Sequence, residues 1–343
     1  MTDSKTESVQ EGAVDEAELS NFVSWTSRLV AACRAIETAE PDAVCSDPLA
    51  QHFAGAKAMD YVGTFAREQP QQAAAMLIGL PAKPGQKRRV SGIAVRTCYF
   101  DLAILAACNG NSSFAGIECT QPIRQVVLLG AGQDARPWRL QLPSGVRCYE
   151  VDQSDVVRAK EILLGRMGAA LQTEDNASAQ FPLAAAECHR LSADLTLDGW
   201  PAALEAKGFQ KSQPTLWHAE GLLNYLSAAA VEKLLRDLSQ TSAPGSLFTA
   251  TMIADTTLVD QAARHTEQRF RERYSSVWGA PTPPDKTKGF MASCGWRVLE
   301  MTEMREAAQA VAPSMQCHFF QQEKEGDFLY YFVTAAVALH TGS

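Results

Sequence analysis

The feature that most limits the fold of this chain is a change of rhythm at Gln125, where helical stretches give way to short apolar runs alternating with helices. "RQVVLLGAG" is a strand of the fully buried kind, followed by a short helix. "VRCYEVD" is a second strand, and "SDVVRAKEILLGRMGAAL" a long helix. "CHRLSADL", the helix "WPAALEAKG", the strand "PTLWHAEG", the helix "SAAAVEKLLRDLSQTSA" and the strand "GSLFTATMI" continue the alternation. Strands that are apolar on both faces, separated by helical crossovers, predict an α/β fold with a doubly wound, mostly parallel sheet. Near the end, "CHFFQQ" and "FLYYFVTAAV" flank the turn-rich "EKEGD" and predict a hairpin or a pair of antiparallel edge strands.

Upstream of Gln125 the periodicity is helical. Phe22, Trp25, Leu29, Val30, Cys33 and Ile36 recur at three- and four-residue intervals within Leu19 to Thr38. "SDPLAQHFAG" opens a second helix, with Ser46 or Asp47 as its cap and Pro48 in its first turn. A further helix over Pro70 to Leu80 leads into the basic loop "PAKPGQKRR", and helical patterning resumes at "SGIAVRTCYFDLAILAAC". No repeat and no long linker divides the chain. Residues 1–18 read as a disordered acidic leader and 19–343 as one domain: a helical cap over 19–120, then a core over 121–343 with a helical insert at about 256–284.

Charge narrows the function. The first twenty residues hold six acids and one lysine, so of the net charge of −8 only −3 belongs to the rest. That balance gives no reason to expect nucleic acid as a partner. No run approaches the roughly 18 apolar residues of a membrane span, and the leader has no apolar signal region. Nine dispersed cysteines without a C-x-x-C pair read as reduced thiols in a cytoplasmic protein, and the six histidines lack metal-site spacing, so no metal is expected.

The chemistry concentrates at "GAGQDARPWRL". Gly130, Gly132 and Ala135 satisfy the permissive dinucleotide fingerprint at the end of the first strand, and Asp152 closes the second strand, where it can accept from both hydroxyls of a ribose. NAD(P) and S-adenosylmethionine are equally served so far. Asp134, inside the turn, repels a pyrophosphate but is compatible with a ligand bearing an ammonium, a sulfonium and one carboxylate. Asp194 falls just past another strand's end, where it either meets an adenine amino group or caps a helix.

In order, "RAIETAEPDAVCSDPLA", "VRTCYFD", "VVLLGAGQDARPWRL", "YEVDQSDVVRAK", "ADLTLDGWPAALEAKGF", "TLWHAEGLLNYLSAAAVEKLL" and "PGSLFTATM" resemble the leucine carboxyl methyltransferase family over roughly Thr26 to Thr251. That resemblance implies a class I methyltransferase (Rossmann-like) fold with an antiparallel C-terminal edge strand, and S-adenosyl-L-methionine as cofactor. It implies that Arg96 clamps the methionyl carboxylate with Arg34 nearby, that Gly130 and Gly132 line the cofactor turn, and that Asp152 holds the ribose. Asp194 and Leu195 match the adenine contacts, and Glu220 the acid at the cofactor's amino end.

The sulfonium is itself the electrophile, so the protein's task is placement. A carboxylate acceptor is ionised at neutral pH and needs no base, whereas a hydroxyl does. His218 is the candidate base, with a packing role as its alternative, and Tyr225 is a candidate for facing the acceptor. Arg269, Arg271 and Arg273 either form an ordinary charged helix face or bind an acidic acceptor. The sequence thus points to an O-methyltransferase acting on a carboxylate or hydroxyl of a small metabolite. A protein C-terminal carboxyl is the second acceptor, and an NAD(P)-dependent oxidoreductase or a non-catalytic cofactor-binding module the readings of other classes.

Overall fold

The computed structural model describes residues 22–68, 89–110, 114–117, 121–255, 278–317 and 330–338. The leader, the expected helix over Pro70 to Leu80, most of the basic loop, and the insert with Arg269, Arg271 and Arg273 lie outside the described residues.

Three long helices precede the sheet: α1 (Phe22–Thr38), α2 (Ala50–Glu68) and α3 (Gly92–Asn109). Asp47 starts α2, its carboxylate accepting from the Leu49 N–H at 3.1 Å. Helix α3 is bounded at both ends by short-range chemistry. Ser91 caps it by accepting from the Ala94 N–H, and Gly110, at φ +66°, ends it in the left-handed conformation that glycine adopts without a Cβ clash. By length and composition α3 could cross a membrane, with mean hydropathy 1.2 over 18 residues, but 72% of it is buried inside the protein. It is a core helix, and the two charged residues that interrupt its apolar surface, Arg96 and Asp101, both serve the site described below.

Then follow β1 (Gln125–Leu129), a four-residue α4 (Arg136–Arg139), β2 (Arg147–Asp152), α5 (Ser154–Arg166), β3 (Glu187–Ser192), α6 (Trp200–Glu205), β4 (Thr215–Ala219), α7 (Ala228–Gln240) and β5 (Leu247–Ile253). The chain closes with α8 (Pro284–Ser293), β6 (Trp296–Glu303), α9 (Met304–Val311) and β7 (Tyr330–Val337). The seven strands form one sheet in the order β3-β2-β1-β4-β5-β7-β6. Strands β1 to β5 run parallel, and β7 alone pairs antiparallel with both of its neighbours.

The sheet is covered on both faces. Val126 and Leu128 pack into the core under α1 to α3, while Val127 and Leu129 pack into the opposite core with Trp217, Leu234 and Trp296. This is the doubly wound α/β class I methyltransferase-like architecture.

Two details differ from the sequence reading. The antiparallel strand lies one place in from the edge, and β6 is the edge. Helix α5 ends at Arg166, earlier than its apolar pattern suggested, because Gly168 turns the chain at φ +67° and Ala169 bridges to Phe181. The expected hairpin between "CHFFQQ" and "FLYYFVTAAV" lies largely outside the described residues; within them β7 pairs antiparallel with β5 and β6, and Gln316–Cys317 pairs parallel with Arg89–Val90.

Candidate active site

Strand order reverses between β1 and β4: from β1 the chain winds outward through β2 and β3, then returns to the other side of β1. In doubly wound sheets ligands bind at the carboxyl ends of the strands flanking such a reversal. There the structure has a cavity of about 400 Å³. Ten site residues read from the sequence line it: Arg34, Arg96, Gly130, Gly132, Asp152, Asp194, Leu195, His218, Glu220 and Tyr225.

The strands place these residues. Gly130 follows β1, its N–H donating to Val151 O at 2.8 Å, and Asp152 is the last residue of β2. Gly130 and Gly132 have φ of +60° and +44°. A Cβ on Gly130 would lie 2.9 Å from the Leu222 side chain and one on Gly132 3.1 Å from that of Ser27, so the turn needs glycine for its backbone and for its neighbours. Asp152 accepts from Gly132 N–H at 2.7 Å through Oδ2 and from Gln153 N–H at 2.7 Å through Oδ1. Burial pushes its carboxyl pKa up, against the pull of those two bonds.

Asp194 lies two residues past β3. It caps no helix: both its contacts, with the N–H and Oγ1 of Thr196, use Oδ1, and Gly199 precedes α6. Leu195 beside it is buried. Glu220 directly follows β4, and Tyr225 lies on the next turn.

A buried chain of ion pairs binds the site together, and the sequence reading missed most of it. Arg136, 4% exposed, donates to Asp101 at 2.7 Å, to Asp134 at 2.5 Å and to Glu220 at 2.8 Å. Glu220 takes a second guanidinium through Arg96 Nε at 2.6 Å, and Arg96 Nη1 donates to the Tyr330 hydroxyl on β7 at 3.3 Å. Arg139 pairs with Asp101 at 2.6 Å and approaches Asp47 at 3.6 Å. Arg34 donates to Asp47 at 2.8 Å and to the Gln133 carbonyl at 2.6 Å.

Four arginines thus meet four carboxylates. Burial alone would raise the Asp134 and Glu220 pKa values, but the guanidiniums prevail. Asp134 is taken down to about 2, and Glu220 is held well below the carboxylate range.

Arg96 reaches across the site to Glu220. One inference from the sequence changes with this geometry. Asp134 is not a free charge in the turn: its Oδ1 accepts the Arg136 N–H at 2.8 Å while Oδ2 meets the Arg136 guanidinium. The argument against a pyrophosphate therefore rests on other ground. Helix α4 has only four residues, and the Asp134 carboxylate already occupies the amide at its start that would otherwise receive an anion. Behind the turn, Lys160 Nζ donates to the Asp134 carbonyl at 2.7 Å and to Glu150 at 2.5 Å, which fixes the loop from its buried side.

His218 is buried, its ring edge-on to Phe100. Its Nδ1 is 3.0 Å from Thr249 Oγ1, which in turn donates to the Trp217 carbonyl. Its Nε2 lies 3.3 Å from both Arg136 Nη1 and Glu220 Oε2, accepting from the first in one tautomer and donating to the second in the other. Burial lowers its pKa, so the ring is neutral at pH 7. Asp134, His218 and Glu220 hold their ligand atoms within 4.8 Å of one another, the one metal-like grouping among the described residues. The Arg136 guanidinium is bonded to all three and supplies the positive charge a metal would bring.

Arg136 was discoverable in principle, as a cation at the first helical position after a cofactor turn. Asp101, Arg139, Asp47 and Tyr330 carry no local signal, because their partners are remote in sequence.

Comparisons with known proteins bear on the family and the fold. Residues 27–239 match the sequence profile of the leucine carboxyl methyltransferase family. A Mycolicibacterium gilvum protein assigned by name to the S-adenosyl-L-methionine-dependent methyltransferases is 33% identical over 302 residues, covering 83% of this chain and 85% of its own. A Mycobacterium avium protein of the same name is 34% identical over 306 residues, covering 84% and 88%. Among solved structures, a DUF574 family protein of Streptomyces avermitilis superposes with TM-score 0.51 at 13% identity, covering 91% of this chain and 97% of that one. A Thermobifida fusca protein named as a methyltransferase gives 0.51 at 15%, covering 91% and 94%, and at such identities these two speak for the fold alone. Profile, relatives and fold agree, and the chain belongs to the leucine carboxyl methyltransferase family.

Proposed function

We propose that this S-adenosylmethionine-dependent methyltransferase transfers its methyl group to a carboxylate oxygen of a small metabolite. The cofactor suits the charge of the cavity. The cavity is lined by four arginines and four carboxylates, and of these Asp152 and Asp194 are bonded to backbone and hydroxyl donors rather than to cations, which leaves their side of it negative. A net-positive sulfonium amino acid complements that charge; a pyrophosphate opposes it.

In this reading Asp152 keeps lone pairs on both oxygens for the ribose hydroxyls. Asp194 and Leu195 meet the adenine, and Gly130 and Gly132 let the backbone approach. Arg96 and Arg34 face the methionyl carboxylate and Glu220 the amino group, so the Arg96 and Glu220 pair offers both signs to a zwitterion. When bound, the cofactor supplies an electrophilic methyl group on a positive sulfur. Everything else is orientation and exclusion of water by the walls formed by α1 and the Leu222 to Leu226 segment, with Tyr225 toward the acceptor.

The observation that carries the carboxylate reading is the state of the proton acceptors. Among the described residues, His218 Nε2 is engaged between Arg136 and Glu220, and Glu220 and Asp134 are held ionised by guanidiniums. None is poised to take a proton from a hydroxyl, and a carboxylate has none to give. A cavity of about 400 Å³ is within the roughly 300–1,000 Å³ of small-molecule sites, a size that suits the cofactor.

The test is incubation with panels of small carboxylic acids, phenols and peptides with free C-termini, following S-adenosylhomocysteine release and treating each product with mild alkali. A methyl ester is saponified and returns the acceptor. An alkali-stable product would make the acceptor a hydroxyl and His218 a base.

A further inference from the structure

Charged groups around the cavity spend themselves on one another, but one neutral residue does not. Gln133 stands between Gly132 and Asp134, lines the cavity and is 3% exposed. Its Nε2 and Oε1 are both buried and both without a hydrogen-bond partner. No other side chain among the described residues leaves two polar atoms buried and unspent. Leaving a carboxamide so is costly, and an apolar residue of similar volume would avoid the cost. Packing therefore does not explain a glutamine here.

Its place on the turn says what it faces. At Gly132 the turn is tied to Asp152, and at Asp134 to Arg136, which holds Glu220. Gln133 sits between these two ends, and its own carbonyl accepts Arg34 Nη2. It lies on the stretch that leads from the ribose acid toward the residues assigned to the methionyl group. A carboxamide offers a donor and an acceptor side by side, the complement of an α-amino acid that presents a carboxylate and an ammonium.

We propose that Gln133 is a specificity residue for the amino-acid end of the cofactor, Nε2 donating to its carboxylate and Oε1 accepting from its ammonium. The inference rests on the S-adenosylmethionine reading of the cavity. It adds to Arg34, Arg96 and Glu220 a contact that discriminates by hydrogen bonding rather than by net charge.

Calorimetric titration of wild type and Gln133→Leu with S-adenosylhomocysteine and with 5′-methylthioadenosine tests it. The second nucleoside keeps adenosine and thioether but lacks both charged groups. The expected result is a loss of about tenfold or more in affinity for S-adenosylhomocysteine, with 5′-methylthioadenosine affinity kept within about twofold. The ligand-free variant should melt no lower than wild type, because an unpaired amide has been removed. Gln133→Glu should show the same selective loss, its charge opposing the methionyl carboxylate, and it serves if the leucine variant does not fold. Equal losses for both nucleosides with a lowered melting temperature would make Gln133 a packing residue and overturn the proposal, as would unchanged affinity for both. If wild type bound neither nucleoside, the cofactor reading itself would fall, a result distinct from any change confined to the variants.

Discussion

Asp152 carries two loads at once. Its carboxylate ties down the N–H groups of Gly132 and Gln153, and in the proposed reading it also receives the ribose hydroxyls. Truncation to alanine would confound the two, because it strands both amides, at a cost of about 1–3 kcal/mol each where they are buried. Asp152→Asn is the milder probe: its amide oxygen still accepts one of the two N–H groups while the charge disappears, although its amide nitrogen is set against the other. Burial disfavours the charge in the fold, as the raised pKa records, which offsets part of the lost bond, so the ligand-free variant should melt below wild type but above Asp152→Ala. Affinity for S-adenosylhomocysteine should fall more than about tenfold, since hydrogen bonds to a charged acceptor are lost. Calorimetry and a thermal melt read both quantities, and retained affinity would remove Asp152 from the ribose. Residues such as Asp152, Gly130 and Gly132 were legible from sequence because strand, turn and acid lie within one βαβ unit, where spacing reports geometry. The partners of Arg136 were not: Asp101 is 35 residues away and Glu220 84, and Tyr330 is 234 from Arg96. Asp134 was misjudged as a bare charge for a different reason: its partner Arg136 is only two residues away, but whether the two side chains meet is decided by rotamer, which spacing does not report.

At the scale of elements, α3 shows how local chemistry reaches the site. It is an 18-residue helix whose start is set by one hydroxyl, and it carries Arg96 to Glu220 and Asp101 to Arg136 and Arg139. Ser91 is 1% exposed, so water cannot replace its bond to the Ala94 N–H. Ser91→Ala should therefore cost about 1–2 kcal/mol, toward the upper end for helix caps, measurable as a shift in the urea midpoint at unchanged slope. Arg96 is in the second turn, so the fraying should also weaken S-adenosylhomocysteine binding modestly, by about two- to threefold. A stability loss with untouched binding would mean that α3 holds Arg96 rigidly without its cap. Helices and parallel strands were legible because each is coded by its own periodicity and punctuation. The place of β7 between β5 and β6 was not, since strand order is decided by long-range pairing, and alternating apolar residues look alike at an edge and one place in.

Across the whole molecule, the ion-pair chain joins α1, the turn before α2, α3, α4 and the end of β4, so folding assembles it as a unit and pH should register it. The sign follows from the pKa directions. Asp134 ionises near 4 in an unfolded chain and at about 2 in the fold, because Arg136 outweighs the burial that alone would raise it. A depressed carboxylate contributes stability that is fully present above its unfolded value and is lost as pH falls through the folded one. For Asp134 that window runs from about 4 down to about 2, and the displacement corresponds to about 2 kcal/mol. Glu220, held lower by Arg136 and Arg96 against its burial, extends the same loss to more acid pH. Asp152 and Glu150 act oppositely, since burial raises both; what they contribute is present below their unfolded values and declines as pH rises through the folded ones. Wild type should therefore lose stability steeply below about pH 4, and Asp134→Asn, which cannot ionise, should lose it less steeply. At pH 7 the variant should be less stable by about 2 kcal/mol, and the gap should close as pH approaches 2, where wild-type Asp134 is itself becoming protonated. Urea unfolding of both proteins at intervals from pH 7 to pH 2 traces that convergence. A gap that stayed constant over the range would mean that Asp134 acts through shape rather than charge, and the chain of ion pairs would then have to be anchored at Asp101 and Glu220 alone.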